Sequence, residues 1–304
     1  MRQTFTVEKE FHNTRFDRWF RLKIIQIPQS LIEKALRQNK IKINKKKIKS
    51  SYRLQIGDKI QIFDISKFEE NKKSQIIKYK PSRKETSSYD NYIIENNDNF
   101  MIINKPSGIP VQSGTKSFKN IIDIMKDSKF FKDYKPYIVH RLDKETSGVL
   151  IIAKKREYAQ LFTSLFRLRK IHKTYLAITY GKIPSKIKVL KDDLVFFENK
   201  KKITQKAISY VKTIKTNDYY SLVELNPVTG RKHQLRKQLL NIGNPIVGDD
   251  KYFIGSRSSR GLKNKNLLLH ASKIKFMINN TQFNFKARYN INFENFLKKN
   301  LNFI

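Results

Sequence analysis

The stretch Ile138-Val139-His140-Arg141-Leu142-Asp143-Lys144-Glu145-Thr146-Ser147-Gly148 gathers imidazole, guanidinium, carboxylate and hydroxyl groups just ahead of Val149-Leu150-Ile151-Ile152-Ala153. The apolar run reads as a buried strand, which puts Asp143 on the loop feeding it, with Thr146, Ser147 and Gly148 shaping the turn. Loops on rigid strands are where catalytic groups usually sit. An aspartate there also caps turns by accepting from backbone amides, and spacing leaves both roles open. Tyr175 alternates along the strand-like Lys173 to Tyr180, a pattern that suits a core tyrosine as well as a site residue. Further on, Gly230 makes a turn, and Leu235, Leu239 and Ile242 form a helical stripe ending near Asn241-Ile242-Gly243-Asn244. Arg236 lies beside that stripe, bordering the core with its head free to reach a site, and Arg231 is the other candidate. His140, His233 and His270 resemble a metal set at first glance. They lack zincin spacing and read as structural hydrogen-bonders, so no metal is expected.

The elements that position these groups fall into two parts. Asn13 or Thr14 is expected to cap a helix carrying Phe16, Trp19 and Phe20 at helical spacing. Gln29 to Asn39 reads as a second helix with Leu31, Ile32, Ala35 and Leu36 inward. Ile41 and Ile43 alternate with Lys42 up to a turn at Asn44-Lys45, and Leu54 to Ile62 supplies a turn and another strand. This is a compact module over residues 13–65. Residues 66–91 dissolve into charges, serines and Pro81 and read as a linker, the first half of which could equally be an irregular extension packed on a domain. A second domain spans 92–300, opening near the strand-like Phe100-Met101-Ile102-Ile103. Within it Tyr158, Leu161, Phe162, Leu165 and Phe166 form a core-facing helical stripe. Arg156, Arg167, Arg169 and Lys170 lie opposite, either solvated or against phosphate.

The 304 residues carry 64 Lys+Arg against 26 Asp+Glu, a formal charge of +38, and are 39% hydrophobic. That apolar share supports real cores and argues against chain-wide disorder. With no cysteine there is no disulfide framework, thiolate zinc site or Cys nucleophile. No run approaches a membrane span, and the opening MRQTFTVEKEFHN lacks the apolar region of a signal peptide; cytoplasmic residence is expected. Part of the lysine excess matches the Lys, Asn and Ile bias of AT-rich codons. Even discounted, the charge attracts polyanions, and lysines spread over every segment favour a broad phosphate-binding surface. Charge alone leaves RNA, DNA and anionic membrane open.

Ordered motifs narrow this. His140-Arg141-Leu142-Asp143 with Thr146-Ser147-Gly148 resembles the signature of the RluA family of pseudouridine synthases, and Asn104-Lys105-Pro106-Ser107-Gly108-Ile109-Pro110-Val111 is similar to the family's lead-in segment. Lys173-Thr174-Tyr175-Leu176-Ala177, Thr229-Gly230-Arg231-Lys232-His233-Gln234-Leu235-Arg236, Pro245-Ile246-Val247-Gly248-Asp249 and Leu268-Leu269-His270-Ala271 follow in family order, over about residues 92–275. The leading module resembles the S4 (α-L) RNA-binding domain through Arg15-Phe16-Asp17-Arg18, Ile41-Lys42-Ile43-Asn44 and Gly57-Asp58. Two positions depart from the family pattern: Lys232 stands where Thr is common, and Gln238 where His is common.

The resemblance implies an α+β architecture: a small S4-like module followed by a catalytic domain with a mixed, largely antiparallel sheet flanked by helices. It implies that uridine is isomerised to pseudouridine without cofactor, by breaking the N1–C1′ bond, rotating the base and rejoining it through C5. Asp143 matches the nucleophile; cleaving a glycosidic bond calls for an ionised carboxylate near C1′. Tyr175 matches the tyrosine that stacks on the flipped uracil, with a part in the final proton transfer. Arg236 matches the basic partner that keeps the carboxylate ionised and aimed. Arg141 would insert where the uridine leaves the stack, offsetting part of the few kcal/mol that flipping costs. Arg231, with Arg15, Arg18, Arg37 and Lys40 of the leading module, would contact RNA phosphates, which position without choosing sequence. Thr146 to Leu150 followed by Ala153-Lys154-Lys155-Arg156 looks more like the C-type than the D-type large-subunit branch. The expected partner is 23S rRNA or a large-subunit assembly intermediate, near the peptidyl-transferase region, met by a monomer with no membrane role. The rival from another class is a non-catalytic RNA-binding ribosome-assembly factor.

Overall fold

A computed structural model of the chain describes residues 2–63, 79–113, 119–198, 201–253 and 266–302. The chain divides into two compact units, Met1–Ile77 and Lys78–Ile304. Among the described residues no helix is long and apolar enough to cross a membrane.

In the first unit, α1 (Phe16–Lys23) and α2 (Gln29–Arg37) pack with a three-stranded sheet of β1 (Arg2–Thr6), β2 (Ile41–Ile43) and β3 (Lys59–Phe63), in the order β1-β3-β2. Their buried faces interlock Phe16, Trp19, Phe20, Ile32, Leu36, Ile41 and Ile60. Three details differ from the sequence-based expectation. The unit begins before residue 13, because β1 pairs along β3 from Arg2↔Phe63 to Thr6↔Lys59. The helix α1 is not capped by Asn13 or Thr14: Arg15 occupies the cap in an extended conformation, while Asn13 turns at positive φ. The second helix stops at Arg37, since Asn39 adopts φ 59°.

The expected linker over 66–91 shortens likewise. Part of it lies outside the described residues, but residues 79–91 belong to the second unit. There Ser82 accepts from the Glu85 amide to cap α3 (Arg83–Ser88), and Tyr79 and Tyr89 pack on an apolar cluster. A capped start and two half-buried aromatics make this stretch structure rather than tether.

The second unit is built on a mixed, largely antiparallel sheet flanked by helices, as expected. Its strands are β4 (Ile93–Asn96), β5 (Phe100–Lys105), β6 (Tyr137–Ile138), β7 (Ser147–Ala153), β8 (His172–Tyr180), β9 (Val189–Glu198), β10 (Lys201–Thr216), β11 (Tyr220–Pro227), β12 (Leu269–Ile278) and β13 (Thr281–Lys286). The path runs β4-β5-β7-β12-β8-β11-β10-β9, with β6 on β7 and β13 on β12. The pairing of β7 with β12 is parallel, and the others are antiparallel.

Among the described residues, α4 (Ile121–Lys126), α5 (Arg156–Arg167), α6 (Gln234–Asn241) and α7 (Ile291–Leu301) cover the sheet. Alternation divides the strand residues among them. Phe100 and Ile102 join Phe162 and Leu165 of α5, while Met101 and Ile103 join Ile121 and Ile124 of α4. Along β8, Ala177 meets Leu235 and Leu239 of α6, while Leu176 and Ile178 meet Phe293 and Leu297 of α7. Tyr175 sits between the α4 and α6 clusters.

The register draws one row across five neighbouring strands: Leu225 opposite Tyr175, Tyr175 opposite Ala271, Ala271 opposite Gly148, and Gly148 opposite Lys105. At its centre the chains approach so closely that a Cβ on Gly148 would stand 2.2 Å from the Ala271 carbonyl oxygen, and Gly148 has φ +113°. Only glycine fits both conditions. The Asp143 loop therefore enters the sheet level with Tyr175.

Candidate active site

Asp143 lies on the loop between β6 and β7. Its backbone carbonyl, not its carboxylate, closes the turn by accepting from the Thr146 amide at 3.1 Å. That frees the side chain from the capping role the sequence left open. The carboxylate faces two bases: Nε2 of His233 stands 3.7 Å from Oδ1, and Nη1 of Arg236 stands 3.8 Å from Oδ2. The Asp143 side chain is 25% exposed, so a ligand reaches it.

The loop is held from below by the lead-in segment. Lys105 is fully buried, and its Nζ donates to the carbonyls of Pro106 at 2.8 Å, Ile109 at 2.9 Å and Lys144 at 3.1 Å. Ser107 Oγ donates to the Glu145 carbonyl at 2.6 Å, and the Gly108 amide to that of Lys144 at 3.0 Å. Burial lowers the Lys105 ammonium from its usual 10.5 to about 7, because the charged form loses its water.

Arg236 sits in the first turn of α6, and its main partner is not Asp143. Its Nε and Nη2 donate to Asp249 at 2.7 and 2.6 Å, a bidentate fork on a side chain with no exposure. Burial opposes the charge, yet the hydrogen bond and charge of Asp249, aided by Asp143, hold the guanidinium above the ordinary arginine range. The expected pairing of Arg236 with Asp143 is present at 3.8 Å, and Asp249 holds the same guanidinium more closely. Asp249 takes the fork because Gly248, at φ +78° and against the Asn266 carbonyl, tucks the chain beneath α6.

The turn leading into α6 centres on His233, at φ 54°, rather than on Gly230. His233 makes the structural hydrogen bond expected of it, its Nδ1 sharing one with the Tyr252 hydroxyl at 2.9 Å, and its Nε2 in addition faces Asp143. Burial lowers its pKa, with Asp143 opposing and Arg236 reinforcing. His140 and His270 keep structural partners. Nε2 of His140 accepts from the Ile151 amide at 2.8 Å, and His270 Nδ1 bonds Ser147 Oγ at 2.9 Å. Burial pushes them down to about 3 and about 4. Among the described residues no group of His, Asp or Glu is arranged to hold a metal.

Asp143, Tyr175, Arg141, Arg231 and Arg236 line one cleft of about 960 Å³. Tyr175 borders it with its hydroxyl pushed above the tyrosine range, first by burial and then by Asp143. Asp143 is the sole carboxylate among its described lining residues; the cations include exposed Arg141, Arg167, Arg169 and Lys232 at the rim. Arg231 donates Nε to the Lys206 carbonyl at 3.2 Å. The departure at Gln238 has a local reason: its amide donates to the carbonyls of Leu190 and Ala207 at 3.1 and 3.2 Å, binding α6 to the β9–β10 hairpin. Arg15, Arg18, Arg37 and Lys40 lie in the first unit. Arg15 forks Asp17 at 3.1 and 2.7 Å, Arg18 and Arg37 are exposed, and Lys40 is half-buried.

A cleft with a single carboxylate among its described lining residues, a bordering tyrosine and exposed cations suits a polyanionic substrate, and the comparisons name the class. The chain belongs to the RNA pseudouridine synthases: residues 99–241 match the RNA pseudouridylate synthase family. It is 34% identical to ribosomal large subunit pseudouridine synthase C of Buchnera aphidicola subsp. Schizaphis graminum, covering 96% of this chain and 95% of that protein. To the protein of the same name from Rickettsia felis it is 36% identical, over 86% and 88%. The solved human RNA pseudouridylate synthase domain containing 4 superposes with TM-score 0.58 at 27% identity, over 70% of this chain and 94% of that one.

Proposed function

We propose that this synthase acts on 23S rRNA, as a C-type large-subunit enzyme, with Asp143 as its nucleophile. The observation that carries the site is the isolation of Asp143: one carboxylate, reachable from solvent, in a cleft whose other charged lining residues, among those described, are arginines and lysines. An extruded uridine lies with its ring on Tyr175 and its C1′ toward Asp143. The carboxylate either bonds C1′ or removes the C2′ proton, and on both routes the C1′–N1 pair leaves with the base. C5 then bonds C1′ as the carboxylate leaves it, or as the proton returns to C2′ on the other route; the C5 proton departs and N1 is protonated. Arg236, already fixed by Asp249, keeps the carboxylate charged and aimed.

The first unit serves as an S4-like grip on phosphate through Arg18, Arg37 and Lys40, and Arg141 takes the place the base vacates. The names of the relatives support large-subunit rRNA, free or in an assembly intermediate, as the partner of a cytoplasmic monomer. Incubation with rRNA tritiated at uridine C5 tests the reaction and the nucleophile together. Release from wild type and none from Asp143→Ala, with RNA affinity retained, is expected; release by the Ala variant removes Asp143 from its role.

A further inference from the structure

Lys173 is unaccounted for by the roles above. Alternation puts it on the same face of β8 as Tyr175, and both line the cleft with Asp143. The other inner cations are engaged, Arg236 by Asp249 and Arg231 by the Lys206 carbonyl. Lys173 is half-buried, and among the described residues its Nζ meets neither a hydrogen-bond acceptor nor a carboxylate. Burial accordingly lowers its pKa below the lysine range. Its Nζ stands 4.0 Å from where a Cβ on Gly230 would be, beside the Thr229-Gly230 segment that lines the same cleft.

A partly desolvated cation without an acceptor is costly, and a cleft tolerates it where the substrate brings the anion. Phosphates of a bound RNA remain near the solvent, where Arg141, Arg167, Arg169 and Lys232 are exposed. Lys173 lies deeper, about 7 Å along the strand from Tyr175, within side-chain reach of a ring resting on that tyrosine. The anion that arises at this depth is the base itself.

We propose that Lys173 donates to a carbonyl oxygen of the extruded uracil and holds the base's negative charge between cleavage of C1′–N1 and formation of C1′–C5. When the C1′–N1 bond breaks, its electron pair delocalises onto the uracil oxygens facing the ammonium. The pair is spent when C5 bonds C1′, and Lys173 keeps its proton throughout. The inference rests on the placement of Asp143 and Tyr175 above, and makes Lys173 a further catalytic residue and a reader of the pyrimidine edge.

Single-turnover tritium release and RNA affinity, measured for full-length Lys173→Met, Lys173→Arg and Asp143→Ala, test it. Lys173→Met should slow release about 100-fold, as for loss of one preorganised donor to a developing anion, with affinity and its salt dependence unchanged. Lys173→Arg should recover all but about tenfold. Unchanged release overturns the assignment, as does weakened affinity with a log–log salt slope reduced by about 0.7, the mark of a lost phosphate contact. Lys173→Gln is measured in the same way should the Met variant not fold. If Asp143→Ala stays active, the site reading fails; if it is dead and Lys173→Met is normal, this inference alone falls.

Discussion

Arg236 and Asp249 form a closed pair, Nε and Nη2 of the one on the two oxygens of the other at 2.7 and 2.6 Å, before either meets Asp143. The remaining Nη1 points at Asp143 from 3.8 Å, so its aim is set by a residue that does not face the cleft. Asp249 is therefore a positioning residue. Replacing it with Asn takes from a buried guanidinium its nearest counter-charge, leaving Asp250 at 3.5 Å and Asp143 at 3.8 Å, which costs up to about 3 kcal/mol, and frees it to turn toward Asp143. Asp249→Asn should unfold at lower urea concentration and lose at least tenfold in tritium release, while RNA affinity holds. Wild-type stability with full activity would mean that the fork contributes neither.

Tyr175 faces the cleft with its hydroxyl pushed above the tyrosine range by burial and by Asp143. Below pH 10 it is therefore protonated, and a phenolate is not at hand to pull a proton from the base. Its hydroxyl can relay a proton only as a donor–acceptor pair, and its ring remains the stacking surface. Tyr175→Phe keeps the ring and should slow release about 100-fold, the usual scale of one positioned proton-transfer group. Tyr175→Leu should also weaken binding of the RNA. Rate–pH profiles of wild type should show no limb of tyrosine origin below pH 10; such a limb, absent in Tyr175→Phe, would restore the phenolate.

Much of this site was legible in the chain before folding. The buried run of β7 announced itself by five consecutive apolar residues, and the stripe of α5 by helical spacing, because both bury whole faces. Motif order put Asp143, Tyr175 and Arg236 on one site, and the cleft holds all three. What escaped is of another kind. The strand β1 exposes nearly every side chain and exists because β3 offers it a ladder; no local pattern encodes that. The fork on Asp249 joins residues 13 apart through a loop whose course depends on Gly248 meeting Asn266. His233 faces Asp143 from a left-handed backbone that residues other than glycine seldom take, and its type suggested only a structural hydrogen bond.

The salt dependence of binding reports on the first unit. Arg18 and Arg37 are exposed there, whereas Arg15 is tied to the buried Asp17, and removing it would disturb the fold. Arg18→Ala with Arg37→Ala leaves the core untouched. If both grip phosphate, the double variant should bind rRNA more weakly with a log–log slope reduced by about 1.4 to 1.8, and its release rate at saturating RNA should match wild type. An unaltered slope would leave the unit without a phosphate role at these positions.

Lys105 joins stability to the geometry of the Asp143 loop. It ends the row of residues that levels Tyr175 with Gly148, and its ammonium gathers the carbonyls of Pro106, Ile109 and Lys144. Its folded pKa of about 7 lies below the usual 10.5, so between those values the unfolded chain binds more protons than the native one. Unfolding free energy should therefore rise with pH from about 7 to about 10.5 on this account and be flat below 7. Lys105→Met removes that slope and strands the carbonyls, each worth about 1 kcal/mol or more when buried unpaired. Urea unfolding at pH 6 to 10 should show wild type pulling away from the variant as pH rises, and the variant should release tritium at least tenfold more slowly through a loosened loop. Parallel stability curves would mean that Lys105 keeps its proton in the fold, and undiminished release would mean that Asp143 is held in place without it.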